Sequence, residues 1–347
     1  MKKSDAVQSI LRQRVLQLAS QPETSKENMI HYPKHIEGLA FAPTNIALCK
    51  YWGKRDTELN LPVTSSLSIS LPDKGSMTHL IIHDQPRDII ILNQEELAND
   101  SPFVNRLSQF LDLFRPEKIW HVKVDIKMNI PVAAGLASSA SGFASLTLAL
   151  NDLFGWELSL RSLSLLARLG SGSAARSLWL GFVEWHAGIQ SDGMDSFAEP
   201  LPIEWHELCV GILSVSEKEK QISSRDAMQR TVNSSIFYQN WPKKVLQDMA
   251  ILKQSLQVKN FPLLGGTAES NALAMHATML SSWPPICYFL PETIEIMHKV
   301  WALRRAGLEI YFTEDAGPNL KLLFLERDKK TVCEHFPDVD VVKVFEA

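Results

Sequence analysis

The stretch NIPVAAGLASSASGFASL, residues 129–146, decides how the N-terminal half of the chain folds. A proline followed by Gly, Ala and Ser predicts a loop, and the apolar periodicity after it predicts a helix over 141–155. Small side chains let a ligand approach the backbone, and free amides at a helix start favour an anion such as phosphate. The alternative is that Ser139 only caps a packed helix.

The residue order of this loop excludes three common ligand motifs. It is not the GxxxxGK[ST] of a P-loop, the GxGxxG of a dinucleotide site or the GxSxG of a hydrolase elbow. Any anion that binds this loop therefore binds in another way.

Short β-rich runs precede the loop and predict one sheet. Pro, Asp and Asn turn signals separate them, and they read GLAFAPTNIALCKYW (38–52), SSLSISL (65–71), THLIIH (78–83), DIIILN (88–93) and HVKVDIKMNI (121–130). A further helix is predicted over 159–170, where Gly170 can end it.

A second unit begins after Pro200. We predict a strand over 209–215, then helices over 225–237, 243–256, 264–281 and 291–306, and β-like runs over 308–313 and 320–325. Strands grouped before helices favour an α+β fold over a doubly wound sheet. The predicted domains are 37–204 and 205–347, since a chain of 347 residues accommodates two.

Residues 1–36 differ from the rest in composition. The polar stretch SQPETSKENM (20–29) predicts a tether, and an amphipathic helix before it is predicted by the spacing of Val7, Ile10, Leu11, Val15 and Leu18. We expect this helix to pack against the outside of the main body or of a second subunit.

The composition predicts a cytoplasmic protein with a small-molecule partner. A net charge of -4 without a long basic run argues against a nucleic-acid partner. No apolar run is long enough for a membrane span, and the charged N-terminal residues do not form a signal peptide. The four cysteines lack metal or disulfide spacing, and the ten histidines lack an HExxH pattern, so we expect no metal held wholly by side chains.

The stretch SGSAARS, residues 171–177, follows the predicted helix end at Gly170. Its hydroxyls and backbone amides can converge on an anion, and Arg176 offers a planar fork for a carboxylate or phosphate. A turn with a surface arginine is the alternative.

Two more stretches place charged residues at strand ends or in turns. In KYWGKRDTELNLPVTSS (50–66), basic residues surround Tyr51 and Trp52 after an apolar strand. In FTEDAGPNLKLLFL (312–325), Asp315 lies in a turn where an acid can act as a general base. Solvated lysines and an ordinary turn explain each stretch taken alone.

Together these stretches resemble the mevalonate diphosphate decarboxylases, a family of the GHMP kinase superfamily. The similarity runs from about Leu39 to the C-terminus, and its five motifs are APTNIALCKYWGKRD (42–56), PVAAGLASSASGF (131–143), GSGSAARSLWLGFVEW (170–185), MHATMLSSWPP (275–285) and FTEDAGPN (312–319). The N-terminal segment lies outside it.

The resemblance implies a two-domain GHMP fold of the α+β class, with an N-terminal domain like domain 2 of ribosomal protein S5 and a ferredoxin-like C-terminal domain, often in a homodimer. In the implied reaction ATP phosphorylates the tertiary hydroxyl of mevalonate 5-diphosphate. Phosphate and carbon dioxide then leave to give isopentenyl diphosphate. Phosphorylation creates a leaving group, and a positively charged site stabilises the anions.

The resemblance also implies residue roles. Asp315 would be the base, Arg176 would hold the substrate carboxylate, and Lys50 would lie near the transferred phosphoryl group. The substrate would be bound by Tyr51, Trp52, Gly53, Lys54, Arg87, Ser171, Gly172, Ser173, Ala174, Ala175, Arg176 and Thr231. The phosphates of ATP and the accompanying magnesium would be contacted by Gly135, Ser138, Ser139 and Ser141.

Two positions depart from the family pattern: Ala175 stands where relatives often have Ser or Cys, and Thr64 where Asn is common. A lost hydroxyl costs about 1 kcal/mol of phosphate binding if the group is not buried. A decarboxylase of mevalonate 5-phosphate and a non-catalytic GHMP-fold binding protein remain as alternatives. Tyr51, Lys54 and Arg87 favour the diphosphate, and the charged residues retained across the motifs favour an enzyme.

Overall fold

The structure is a computed structural model that describes residues 33–115, 120–130, 138–216, 218 and 220–345, and several positions between 7 and 18. The described positions between 7 and 18 are helical, as predicted. Leu11 and Val15 are buried in the core of the N-terminal half, whereas Ile10 is 49 % exposed and does not belong to the buried face.

Nine strands belong to the N-terminal half. They are β1 (Glu37–Cys49), β2 (Lys54–Asp56), β3 (Leu61–Pro62), β4 (Ser66–His83), β5 (Ile89–Leu92), β6 (Glu95–Glu96), β7 (His121–Met128), β8 (Phe182–Trp185) and β9 (Ala198–Pro200). Seven form one sheet in the order β6-β5-β7-β4-β8-β9, with β1 paired to β4, while β2 and β3 pair separately. All five predicted runs contribute to that one sheet, although β1 ends at Cys49, before the end of the first run. Strands β2, β3, β6, β8 and β9 were not predicted.

Strand β4 joins two runs that the sequence predicts as separate strands. The antiparallel register with β1 passes from Pro43 opposite Gly75 to Thr44 opposite Leu71. Residues 72–74 are therefore a bulge in a continuous strand, because the chain resumes pairing after them. The proline at their start is tolerated at such an interruption.

Besides the helical positions between 7 and 18, three helices of the described structure pack on this half: α1 (Pro102–Leu111), α2 (Ser138–Phe154) and α3 (Leu160–Gly170). Helices α2 and α3 confirm the predictions, and α2 covers β1 and β4. Helix α1 was not predicted. It begins where the Ser101 side chain accepts a hydrogen bond from the Val104 amide, with Pro102 in the first turn.

The C-terminal half has an antiparallel four-stranded sheet beside five helices. Its elements are β10 (Leu208–Leu213), α4 (Ser224–Ser234), α5 (Trp241–Gln257), α6 (Phe261–Leu280), α7 (Pro291–Arg305), β11 (Ile310–Glu314), β12 (Leu320–Leu325), α8 (Lys329–His335) and β13 (Asp340–Lys343), with strand order β11-β12-β10-β13. The predicted elements are confirmed, and α8 and β13 add to them. The fold class is α+β, as predicted.

The end of β1 lies against the C-terminal half. The Lys50 amide donates to Asn271 Oδ1 on α6 at 2.8 Å, and the Thr313 hydroxyl on β11 donates to the Ala47 carbonyl at 3.3 Å. One hydrophobic core contains side chains from both halves, among them Ile46 and Met275. These contacts bring the residues after β1 and after β11 to the same place.

Candidate active site

A cavity of about 650 Å³ opens between the two halves. The ends of β1 and β11, the turn after α3 and the first turns of α1, α2 and α4 contribute to its wall. Most of the predicted site residues line it, namely Lys50, Tyr51, Trp52, Lys54, Ser139, Ser171, Gly172, Ser173, Arg176 and Asp315.

The carboxylate of Asp315 lies between two ammonium groups. Its Oδ1 accepts a hydrogen bond from Lys50 Nζ at 2.8 Å, and its Oδ2 is 3.3 Å from Lys321 Nζ. Burial alone would raise the pKa of Asp315, but the two lysines outweigh it and hold the pKa well below its ordinary value. The carboxylate is therefore ionised at neutral pH, with Oδ2 buried on the side of Lys321.

Hydrogen bonds hold both the backbone and the side chain of Lys50. Its amide is held by Asn271 on α6 and its ammonium by Asp315, and the whole residue is 1 % exposed. Burial lowers the pKa of Lys50, an effect that the neighbouring carboxylate of Asp315 partly offsets. Lys321, the second cation at Asp315, was not among the predicted site residues.

The guanidinium of Arg176 is held by neutral groups. Its Nη1 donates to Ser66 Oγ at 2.5 Å, and its Nε and Nη2 donate to Asn45 Oδ1 at 3.3 and 3.2 Å. The residue is 2 % exposed, and burial lowers its pKa to about 10, so it stays charged at neutral pH. A fixed and charged guanidinium without a carboxylate among these partners is suited to an anionic ligand.

Lys54 and Tyr51 extend the cavity wall beyond the end of β1. Lys54 Nζ donates to Asn60 Oδ1 at 2.6 Å, and the Asn60 amide donates to the carbonyls of Arg168 and Leu169. The Tyr51 ring packs edge-on against another aromatic ring at 4.8 Å, and its hydroxyl has no hydrogen-bond partner in the described structure. Lys54 is therefore held in place in the cavity wall, and the buried Tyr51 hydroxyl lies in a residue that lines the same cavity.

Three basic residues of the cavity were missed by the sequence prediction. Arg106 comes from α1, Arg225 from the first turn of α4, and Lys220 from the segment before α4. Burial lowers the pKa of Lys54 to about 8, and the positive charges of Arg225 and Arg106 contribute to the shift. A cation in the first turn of a helix is disfavoured by the helix dipole. The position of Arg225 was therefore a sign, available from the sequence, that this residue has a role other than stabilising the helix.

Lys54, Arg106 and Arg225 are named here the cationic cluster. Burial also lowers the pKa of Arg106 to about 10, followed by the charge of Arg225. Arg106 donates to the Gly170 carbonyl at 2.7 Å, while its buried Nε has no partner in the described structure. Mutual repulsion of this kind is relieved when an anion binds.

Hydroxyl groups form another part of the wall. Ser139 Oγ lies 3.3 Å from Ser171 Oγ, which lies 3.4 Å from Ser173 Oγ. Ser139 is inside α2 rather than at the position that caps it, so the capping alternative for this residue is not supported. The start of α2 and the turn after α3 therefore present neighbouring hydroxyls to the cavity.

Several predicted residues do not reach the cavity. Arg87 is at the sheet surface, where its guanidinium donates to Asn99 Oδ1 at 2.8 Å and Glu96 Oε1 at 3.0 Å. Thr231 is fully buried in α4 and donates to the Ala227 carbonyl. We leave Arg87 and Thr231 out of the proposed site because their polar groups are committed elsewhere.

The side chain of Ser141 points away from the cavity. Its hydroxyl shares hydrogen bonds with Ser76 at 2.7 Å and Thr44 at 3.4 Å, between α2 and the sheet. Gly53, Ala174 and Ala175 shape the backbone near lining residues but are not part of the wall. Gly135 and the side chain of Ser138 lie outside the described structure.

Two family models match this chain. The diphosphomevalonate decarboxylase-like N-terminal domain matches residues 42–198, and the mevalonate 5-diphosphate decarboxylase C-terminal domain matches residues 210–343. The chain belongs to the diphosphomevalonate decarboxylase family. A member of this family from Aspergillus fumigatus is 37 % identical over 84 % of this chain and 78 % of its own length.

Solved structures of the family have the same fold. The mevalonate diphosphate decarboxylase from Enterococcus faecalis is 39 % identical, with a TM-score of 0.82 over 90 % of this chain and 99 % of that one. The structure of MDDEF in complex with MVAPP, AMPPCP and magnesium is 40 % identical, with the same TM-score and coverage. The similarity that the sequence motifs predicted is confirmed.

The described residues contain no group of three or more His, Cys, Asp and Glu side chains that could hold a metal ion. The neighbouring hydroxyls of Ser139 and Ser171 suit a hard cation that keeps several waters and binds chiefly through phosphates, as magnesium does. Across the same residues, no helix is both long and apolar enough to span a bilayer.

Proposed function

We propose that Asp315, Arg176 and Lys50 carry the family's reaction in this cavity. The chain is an ATP-dependent decarboxylase that converts mevalonate 5-diphosphate to isopentenyl diphosphate, with release of ADP, phosphate and carbon dioxide. The observation that carries the assignment of roles is the ionised carboxylate of Asp315, held by Lys50, in the same cavity as the buried Arg176 and the cationic cluster.

In the first step the ionised carboxylate of Asp315 accepts the proton of the tertiary hydroxyl while the hydroxyl oxygen attacks the γ-phosphorus of ATP. The bond between the γ-phosphorus and the bridging oxygen breaks, and its electron pair leaves with ADP. Lys50 stabilises the charge of the transferred group. The product of this step carries a tertiary phosphate, which is a good leaving group.

In the second step the bond between the tertiary carbon and the phosphate oxygen breaks, and phosphate leaves with the electron pair. The bond to the carboxylate carbon breaks as carbon dioxide departs, and its electrons form the new double bond. Arg176 holds the carboxylate in the orientation that this loss requires, because its planar fork fixes two oxygens at once.

The cationic cluster binds the diphosphate, with the Tyr51 hydroxyl and the Ser171–Ser173 turn beside it. Three positive charges match the longer anion better than a monophosphate. Steady-state kinetics with mevalonate 5-diphosphate and mevalonate 5-phosphate tests this, and a preference for the monophosphate contradicts it.

Ser139 and Ser171 contact the ATP phosphates, and magnesium bound with them supplies charge neutralisation on the phosphates. Lys220 lies on the same wall, where its ammonium donates to Ser224 Oγ at 2.8 Å and to the Ala316 carbonyl at 3.0 Å. We assign Lys220 to phosphate binding as well.

A cytoplasmic location and a homodimer complete the proposal. Both rest on the sequence: the absence of an apolar run that could target the chain to a membrane, and the resemblance to a family of homodimers. Light scattering of the purified protein measures the oligomeric state directly.

Replacing Asp315 tests the mechanism. Asp315→Asn keeps the shape and removes the base, so we expect carbon dioxide release with ATP to fall about a thousandfold. Asp226→Asn is the matched control, because Asp226 is an exposed carboxylate on the same cavity wall and should change the rate by less than about threefold. Equal release from Asp315→Asn and wild type excludes this mechanism.

A further inference from the structure

Glu314 is a buried acid that the proposed mechanism does not use. It is the last residue of β11, directly before Asp315, and it is 1 % exposed. Neither carboxyl oxygen has a hydrogen-bond partner within the described residues. An ionised carboxylate in such a place is expensive, since it loses its hydration without replacement.

The charged and titratable groups that face Glu314 come from every element around it. Lys50 follows β1, Lys321 is on β12, Asp315 is its own neighbour, and His276 is on α6. The two lysines are the counter-charges within range. Both lie within ion-pair distance of Asp315, at 2.8 Å from Oδ1 and 3.3 Å from Oδ2, and Lys321 also donates to the Asn319 carbonyl at 3.2 Å.

His276 does not supply a third positive charge. Its Nε2 is 3.8 Å from Glu314 Oε2 but donates to the Asp315 carbonyl at 3.1 Å. Burial lowers the pKa of His276 to about 3, and the ring stacks on Phe289 at 4.5 Å. The imidazole is therefore neutral at neutral pH.

The two adjacent acids therefore have different charges. Burial raises the pKa of Glu314 well above its ordinary value, the lysines oppose that rise without cancelling it, and the negative charge of Asp315 adds to it. Of these two acids, Glu314 is protonated and Asp315 is ionised.

We propose that Glu314 is a positioning residue that acts as a neutral carboxylic acid beside Asp315 and so leaves Lys50 and Lys321 to that one base. This inference rests on the proposed role of Asp315. Ionisation of Glu314 adds a second negative charge, draws Lys321 away from Asp315 and disfavours the anionic transition state. The turnover number therefore falls at alkaline pH as Glu314 loses its proton.

Infrared spectroscopy measures the protonation directly. At neutral pH we expect wild type to show the carbonyl band of a protonated carboxylic acid that Glu314→Gln lacks. Glu184→Gln is the matched control, because Glu184 is a buried carboxylate that pairs with Lys253 outside the cavity, and it should leave the band unchanged. No band difference between wild type and Glu314→Gln overturns the proposal without any assay of activity.

The pH dependence of kcat, measured with both substrates saturating, tests the role. Gln is the neutral isostere, so Glu314→Gln should keep kcat at pH 7 within about threefold of wild type and lose the alkaline decline. In wild type the decline should follow the loss of the infrared band as the pH is raised. An identical decline in both proteins overturns the positioning role. Full carbon dioxide release by Asp315→Asn would contradict the assignment of Asp315 as the base. The protonation of Glu314, which the infrared measurement reports, does not depend on that assignment.

Discussion

At the scale of single residues, Arg176 shows how this chain prepares a charge for a ligand. Its guanidinium is fixed by Asn45 and Ser66, which are neutral acceptors that hold the group without neutralising it. Burial keeps water away, so the charge acts in a low-dielectric environment. The same contacts fix the plane of the group, and orientation is what loss of carbon dioxide depends on.

We expect Arg176→Lys to lower kcat about a hundredfold, because lysine cannot reach Asn45 and Ser66 together or bind a carboxylate through two parallel hydrogen bonds. Arg225→Lys is the comparison, since Arg225 is exposed and its role as a point charge survives the change. It should mainly raise KM, by less than about tenfold. Steady-state kinetics measures both, and an unchanged kcat in Arg176→Lys excludes the orienting role.

The positive charge of Lys54 limits the pH range in which the substrate is bound tightly. Its pKa of about 8 means that it loses its charge as the pH rises through 8, and KM for the diphosphate substrate should rise in step. The folded pKa is below the ordinary 10.5, so the unfolded chain binds more protons between about pH 8 and 10.5 and stability rises with pH there. Lys54→Met should have a high KM that no longer changes in this range, and a wild-type KM constant from pH 7 to 9 contradicts the assignment.

The sequence predicted Asp315 and Arg176 through the order of the five motifs that resemble the family, because an ordinary turn explains each of the two stretches taken alone. Arg106, Arg225 and Lys220 are different. Arg106 on α1 and Lys220 before α4 have no local pattern that separates a cavity residue from a solvent-facing one, and only tertiary packing brings the three basic residues together. Arg87 and Thr231 do not line the cavity, because Arg87 donates to neighbouring surface groups and Thr231 is buried within α4.

At the scale of elements, the turn after β1 determines where Lys54 points. Gly53 has φ of +118°, a conformation that residues with a Cβ rarely adopt, and a Cβ there would lie 1.7 Å from the Tyr238 hydroxyl oxygen. That hydroxyl donates to the Trp52 carbonyl at 3.1 Å. The glycine therefore allows a contact between the two halves as well as a turn.

Gly53→Ala should lower the free energy of unfolding by about 2 kcal/mol or more, through backbone strain and loss of the Tyr238 contact. Gly266→Ala is the control within α6: the nearest atom to its added Cβ is at 3.8 Å, so the change should be neutral or stabilising by up to about 1 kcal/mol. Urea unfolding measures both. Equal midpoints for the two variants contradict this account of Gly53.

Periodicity and helix-end signals predicted most elements, but they did not predict the bulge in β4, helix α1 or the short strands. The bulge in β4 looks like a strand end, because proline is a turn signal until a partner strand is known to continue past it. Helix α1 had readable signals in Ser101 and Pro102 and in the helical spacing of Val104, Leu107 and Leu111, yet its ten residues stand between short strands and were overlooked. Strands β8 and β9 are short, and their pairing depends on β4.

At the scale of the whole molecule, the two halves share a core and enclose the cavity between them. No single stretch of sequence contains the site, because its residues come from the ends of elements that are far apart in the chain. The order of motifs identified the family, whereas the shape of the cavity required the packing of α1, α4 and β11. The N-terminal segment adds Leu11 and Val15 to the core of one half.

Deletion of residues 1–32 tests that packing. Full burial of an aliphatic side chain contributes at most about 1.5–3 kcal/mol, so we expect the free energy of unfolding to fall by about 3 kcal/mol and kcat to stay unchanged. Leu11→Ser should account for much of the loss, and Ile10→Ser, at an exposed position, for almost none. An unchanged midpoint after deletion contradicts the packing of this segment.

The cationic cluster has a practical consequence at the bench. Three crowded positive charges accept whichever multivalent anion is present, so inorganic sulfate or phosphate in a storage solution competes with the natural ligand. We expect such salts to stabilise the protein against heat and at the same time to inhibit it. Activities measured in phosphate should then differ from those in an amine buffer with chloride, and ammonium sulfate left from purification should lower the rate.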